Sequence, residues 1–75
     1  MTALERIIAH LDGNKGLAFC DDCLSKILSI RPRQAVQQKT YRLAKDARYE
    51  RALILCAGCG ETNKLSIRKR LALAS

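Results

Sequence analysis

The chain has 75 residues, 48% apolar and 28% charged, with one proline, four glycines and a formal net charge of +7. A chain this short forms one domain, 1–75, whose hydrophobic core alone supplies only about 3–5 kcal/mol, so a covalent or metal staple is expected. The composition excludes a disordered polyelectrolyte, and with no basic leader and no run approaching 18 apolar residues, a cytoplasmic protein with no membrane partner is expected.

Thr2-Ala3-Leu4-Glu5 is a capping box and predicts a helix start. Leu4, Ile7, Ile8 and Leu11 recur at helical spacing, and Gly13 is the natural terminator. His10 falls off that stripe and is expected to be solvated, four thiols elsewhere being enough for a metal. Asp12 to Gly16 reads as a loop and Leu17-Ala18-Phe19 as a short strand.

A second helix is predicted from about Asp21 to Ser29, its acidic first turn matched to the positive end of the helix dipole. Ile30-Arg31-Pro32 breaks it, and Pro32 suits the first position of a third helix reaching about Asp46. Val36, Thr40, Leu43 and Ala47 fall on one side of that helix. Arg33, Gln34, Gln37, Gln38, Tyr41 and Lys45 fall on the other. From Glu50 to Cys56 the period changes, and Leu53-Ile54-Leu55 reads as a mostly buried strand. Asn63 to Arg68 alternates, with Leu65 and Ile67 inward, and the two strands make a hairpin. The core is expected over 2–68, and 69–75 is a basic, then Leu/Ala-rich tail.

The four cysteines form two pairs, Cys20-Asp21-Asp22-Cys23 and Cys56-Ala57-Gly58-Cys59, with none to spare. Two thiolates two residues apart can chelate one ion, and two such pairs supply the tetrahedral donor set of a structural zinc. Disulfides or a redox pair are the alternatives, and a reducing compartment favours thiolate–metal over both. One Zn2+ is the expected cofactor, and iron suits the same four sulfurs. Glycines inside and after the second pair let the backbone turn under the metal and aim amides at sulfur; Cys56 to Gly60 resembles a zinc knuckle of the rubredoxin type. The first pair is expected at a helix N-terminus.

Charge is distributed unevenly. Residues 1–30 carry three basic and four acidic side chains, whereas residues 31–51 carry seven basic and two acidic ones. This asymmetry is the footprint expected of a polyanion binder.

The order helix, short strand, helix, tight turn, helix, hairpin resembles a winged helix-turn-helix domain over roughly Leu17 to Arg68. Leu24-Ser25, Leu28-Ser29-Ile30, Val36, Thr40 and Leu43 match the apolar spacing of its two-helix unit, Tyr49 to Arg68 would be the wing, and a CxxC occupies the place of the wing tip. The fold class so implied is α+β: three helices plus a two-stranded antiparallel hairpin, stapled by one zinc on the four cysteines.

The resemblance implies that the third helix, about 32–46, enters the major groove of double-stranded DNA. Arg33 then suits guanine, and Gln34, Gln37 or Gln38 adenine; Lys39, Arg42 and Lys45 serve phosphates, and Tyr41 and Arg31 are counted with the nucleic-acid-binding residues. The expected function is that of a non-enzymatic, zinc-stabilised DNA-binding protein, a small transcriptional regulator. The alternative is an interaction module that docks on a protein partner in a larger assembly. A small-molecule substrate is not expected: four thiolates leave a metal no open position, and there is no phosphate-cradling glycine loop.

Overall fold

The computed structural model describes residues 2–70. The capping box forms as the sequence dictates: the Thr2 amide donates to Glu5 Oε1 at 2.9 Å and the Glu5 amide to Thr2 Oγ1 at 3.1 Å, starting helix α1, Ala3–Asp12. Ile7 and Leu11 are fully buried, with Leu4 and Ile8 packed at the margin of the core. Gly13 closes the helix, its amide donating to the Ala9 carbonyl at 3.0 Å.

Strand β1, Phe19–Cys20, runs directly into helix α2, Asp21–Leu28, with Cys20 as the N-cap residue. Ser29 ends α2 in the left-handed region, φ 54°, and the Ser25 hydroxyl secures the turn by donating to the Ile30 carbonyl at 2.6 Å. Arg6 donates from its guanidinium to the Leu28 carbonyl, fastening α1 to the end of α2. Helix α3 spans Arg33–Leu43.

Two boundaries of α3 differ from expectation. Pro32 is the N-cap rather than the first helical residue, its ψ of 169° being extended, and the helix stops at Leu43, not near Asp46. The early stop follows from local bonding beyond Ala44: the amides of Lys45 and Asp46 turn back to the Arg42 and Leu43 carbonyls at three-residue spacing, and Ala47 is exposed. Val36, Thr40 and Leu43 form the buried side of α3.

Strands β2, Tyr49–Leu53, and β3, Leu65–Lys69, pair as expected, but the sheet has three strands and not two. β1 lies antiparallel on the other side of β3, Phe19 opposite Ile67 and Cys20 opposite Ser66, so the order is β1-β3-β2. The short strand expected at Leu17-Ala18-Phe19 forms instead at Phe19–Cys20, and its partner, which no local pattern names, lies near the other end of the described chain. Only the folded chain brings Phe19 to Ile67.

The helices cover one face of the sheet. Phe19, Tyr49 and Ile67 meet Ile7, Leu11, Leu24, Ile30, Val36 and Leu43 in the core. Along the same face the cross-strand pairs are Tyr49 with Lys69, Arg51 with Ile67, and Leu53 with Leu65. The core reaches the first two pairs and stops. Leu53 is 65% exposed, Leu55 60% and Leu65 43%, so the expectation of a buried Leu53-Ile54-Leu55 strand and an inward Leu65 is overturned. Leu65 borders a pocket shared with Asp22, Arg33 and Gln37, and polar side chains rather than the apolar core face it. No helix among the described residues is long and apolar enough to cross a membrane.

Candidate metal centre and basic helix face

The β1–α2 junction sets the first cysteine pair. Cys20 ends a strand whose backbone is held by β3, and Cys23 lies one turn into α2, so both sulfurs leave the same end of that helix. The second pair sits on a tight turn between β2 and β3. Cys56 bridges to Ala18 beside β1, the Ala57 amide donates to the Ala18 carbonyl at 2.7 Å, and the Gly60 amide closes the turn on the Cys56 carbonyl at 2.8 Å. Gly60 has φ 76°, which favours a residue without Cβ. Gly58 is required for a different reason: a Cβ there would meet Cys23 Sγ at 2.7 Å.

The four thiols are free and converge. Cys23 and Cys56 sulfurs lie 3.6 Å apart, Cys20 and Cys59 sulfurs 3.9 Å, and all four within 4.8 Å of one another. A tetrahedron of thiolates at a metal–sulfur distance of about 2.3 Å has edges of roughly 3.8 Å, so the spacing fits one ion.

The electrostatics also call for a cation. Burial pushes the Cys20 thiol up, and pushes Cys23 up strongly with the neighbouring sulfurs adding to the effect. Burial would also raise Cys56, but the backbone amides of Cys20, Cys59 and Gly58 donate to its sulfur and hold it down at about 6. Two of those bonds measure 3.2 Å, from Cys20, and 3.4 Å, from Gly58. The amides thus favour the Cys56 thiolate while burial disfavours those of Cys20 and Cys23, a cost that a metal cation between the sulfurs would offset. His10 is not part of the cluster. It is half-buried, its ring edge-on to Phe19 with centroids 4.6 Å apart, and not solvated as its place off the stripe predicts.

The two residues between the first cysteines bind the centre to the rest of the fold. Asp21 is buried; its Oδ1 accepts from the Thr40 hydroxyl at 2.8 Å and its Oδ2 from Arg51 at 3.1 Å. This links the first turn of α2 to α3 and β2. Asp22 accepts from Lys64 at 3.1 Å and pairs with the Arg33 guanidinium. The Lys64 ammonium and then burial and Arg33 act on the Asp22 carboxyl, whose net shift is downward. Sequence reading assigns no partner to either aspartate. The available signal is a threonine on the buried stripe of α3 together with an arginine on the inward register of β2, two polar groups that burial obliges to find a counterpart.

No known protein family, curated protein or solved structure matches the chain.

The residues assigned to nucleic acid occupy the following positions. Gln34, Gln38, Tyr41 and Lys45 follow one another at i, i+4, i+7 and i+11 on the outward side, all exposed, with Lys45 just past the end of α3. Gln37 and Arg42 flank that row and are also exposed. Gln34, Gln37, Gln38 and Tyr41 line a shallow depression of about 330 Å3. The Lys45 ammonium lies 5.1 Å from the Tyr41 ring centroid, a cation–π contact. Arg31 is exposed in the α2–α3 turn. Lys39 is half-buried at the margin of the helix, and Arg33 is held at its metal end by Asp22.

Proposed function

We propose that this protein is a zinc-stabilised, winged helix-turn-helix DNA-binding domain that presents α3 to the major groove and acts as a small transcriptional regulator without enzymatic activity. Zinc is the metal assigned to Cys20, Cys23, Cys56 and Cys59. Four thiolates complete its coordination, so its contribution is to folding. Iron would suit the same donors and is told apart by visible absorption, zinc–thiolate being colourless.

The reading rests on the charge of α3. Residues 33–45 contain no acidic side chain, and Lys39, Arg42 and Lys45 form no ion pair among the described residues. Five of the seven acidic residues, Asp12, Asp21, Asp22, Asp46 and Glu50, are engaged in ion pairs. Asp21 and Asp22 thus have their charge matched at the metal end, where free carboxylates would repel phosphate. The element order and the four residues joining α2 to α3 support the winged-helix assignment.

Fluorescence anisotropy of a labelled mixed-sequence duplex, titrated with metal-loaded protein across a salt series, tests the proposal. Affinity should fall with log salt at a slope of about −0.9 per phosphate neutralised, and Arg42→Gln and Lys45→Gln should each reduce that slope by about 1. Absence of binding at low salt, or a slope insensitive to both changes, overturns it.

The exposed Leu53, Leu55 and Leu65 support a second reading, an interaction module docking on a larger assembly through its hairpin end. If Leu53→Lys with Leu65→Lys abolished a protein association while leaving duplex binding intact, this reading would account for that surface.

A further inference from the structure

Arg33 is the residue in the first turn of α3 whose planar guanidinium could pair bidentately with guanine O6 and N7. Its side chain is engaged by Asp22. Asp22 is a partly exposed carboxylate with two cationic partners. It lies between two metal-ligating cysteines in the first turn of α2 and is held from the other side by Lys64, at 3.1 Å on the hairpin arm. Neighbouring Asp21 is locked into the core by Thr40 and Arg51. A carboxylate placed there draws the guanidinium toward the metal end of the helix.

What remains free on the outward row are carboxamides. Gln34 and Gln38 stand one turn apart with no side-chain partner among the described residues, Gln37 beside them, and Tyr41 continues the row. A carboxamide offers one donor and one acceptor at the spacing of adenine N6 and N7, whereas guanine presents two acceptors there. The N-terminal half of a recognition helix is the part that meets base edges.

We infer that α3 selects adenine-containing major-groove sites through Gln34 and Gln38, and that Asp22 is the specificity-determining residue that withholds guanine readout by holding Arg33. The inference rests on the DNA-binding reading above and names the class of site it takes: duplex with adenine at adjacent contacted positions.

Selection of metal-loaded protein against a pool of randomised DNA duplexes tests it. The natural chain should enrich adenine at the contacted positions. Gln34→Ala with Gln38→Ala should relax that enrichment, and Arg33→Ala, which adds no carboxamide, should leave it unchanged. Asp22→Asn, with metal content verified, should release Arg33 and add a guanine preference of roughly 5- to 150-fold at one position, which Arg33→Ala in the same chain removes. Arg33→Ala alone changes no residue of the metal loop, so the test does not depend on Asp22→Asn folding. A guanine preference in the natural chain that Arg33→Ala abolishes overturns the inference while the DNA-binding reading stands, as does an adenine enrichment indifferent to both glutamines. Failure to bind any duplex at low salt removes the reading itself, and the inference with it.

Discussion

Gly58→Ala separates a metal centre built by the chain from four thiols that are merely close. The added methyl would stand 2.7 Å from Cys23 Sγ and 3.0 Å from Cys23 Cβ. Carbon atoms in contact sit about 3.5–4.0 Å apart, so the overlap with the ligand is roughly 1 Å. Ligand distances in a metal site tolerate only about 0.2 Å, and Cys23 retreats only by moving the first turn of α2 with it. Overpacking of this kind costs about 1–3 kcal/mol, or roughly 5- to 150-fold in metal affinity. Gly60→Ala is the control. Its methyl meets nothing within 4 Å, but φ of 76° costs a residue with a Cβ about 1–2 kcal/mol in the folded state. Both variants should therefore bind metal more weakly in competition with a chromophoric chelator. In cobalt-loaded protein only Gly58→Ala should alter the visible bands of the tetrahedral tetrathiolate, because only it displaces a ligand. Gly58→Ala that binds metal within twofold of the natural chain, with unchanged cobalt bands, would refute the arrangement of Cys23 against the Gly58 turn.

Asp21→Ala should lower the melting temperature at saturating metal by more than about 10 °C, because it leaves Arg51 buried without its counter-ion, a loss of about 3–5 kcal/mol; circular dichroism checks it, and a shift of a few degrees would contradict it. Chelation should abolish the helical signal of the whole domain and added zinc should restore it, since metal-binding energy is folding energy in a chain this small. Burial, then the hydrogen bond to Asp12, pushes the Tyr49 phenol up to about 12. Because the fold favours the neutral form, this contribution is complete below pH 10 and is lost as pH rises toward 12. Tyr49→Phe should therefore narrow its stability difference from the natural chain across that interval in urea melts.

The parts of this fold legible in the sequence are those whose cause is local. Thr2 and Glu5 are three residues apart and cap each other, the Val36, Thr40 and Leu43 spacing marks the buried side of α3, and each cysteine pair announces a chelate by its own spacing. What was not legible depends on residues distant in sequence. A short strand is expected at Leu17-Ala18-Phe19, but its shift to Phe19–Cys20 and its place in the sheet come from pairing with Ile67 and Ser66. Asp21 looks like an acidic helix cap and is also a buried charge, because Thr40 and Arg51 arrive from α3 and β2. An apolar run predicts burial only if something covers it, and Leu53, Leu55 and Leu65 lie outside the buried core. His10 follows the same logic in reverse: Phe19 packs on a side chain that its helical phase assigns to solvent.

The four-cysteine cluster brings the start of α2 to the β2–β3 turn, and Asp21 and Asp22 extend that junction to α3, to β2 and to Lys64 just before β3. The functional claim built on it is that the outward row of α3 faces DNA. Amide chemical shifts of 15N-labelled, metal-loaded protein, followed while duplex DNA is added at low salt, test this directly. The account predicts that the largest perturbations fall on Gln34, Gln38, Tyr41 and Lys45, with Arg31 and Arg42 beside them. Shifts confined to Leu53, Leu55 and Leu65, or no shifts at all, would contradict it.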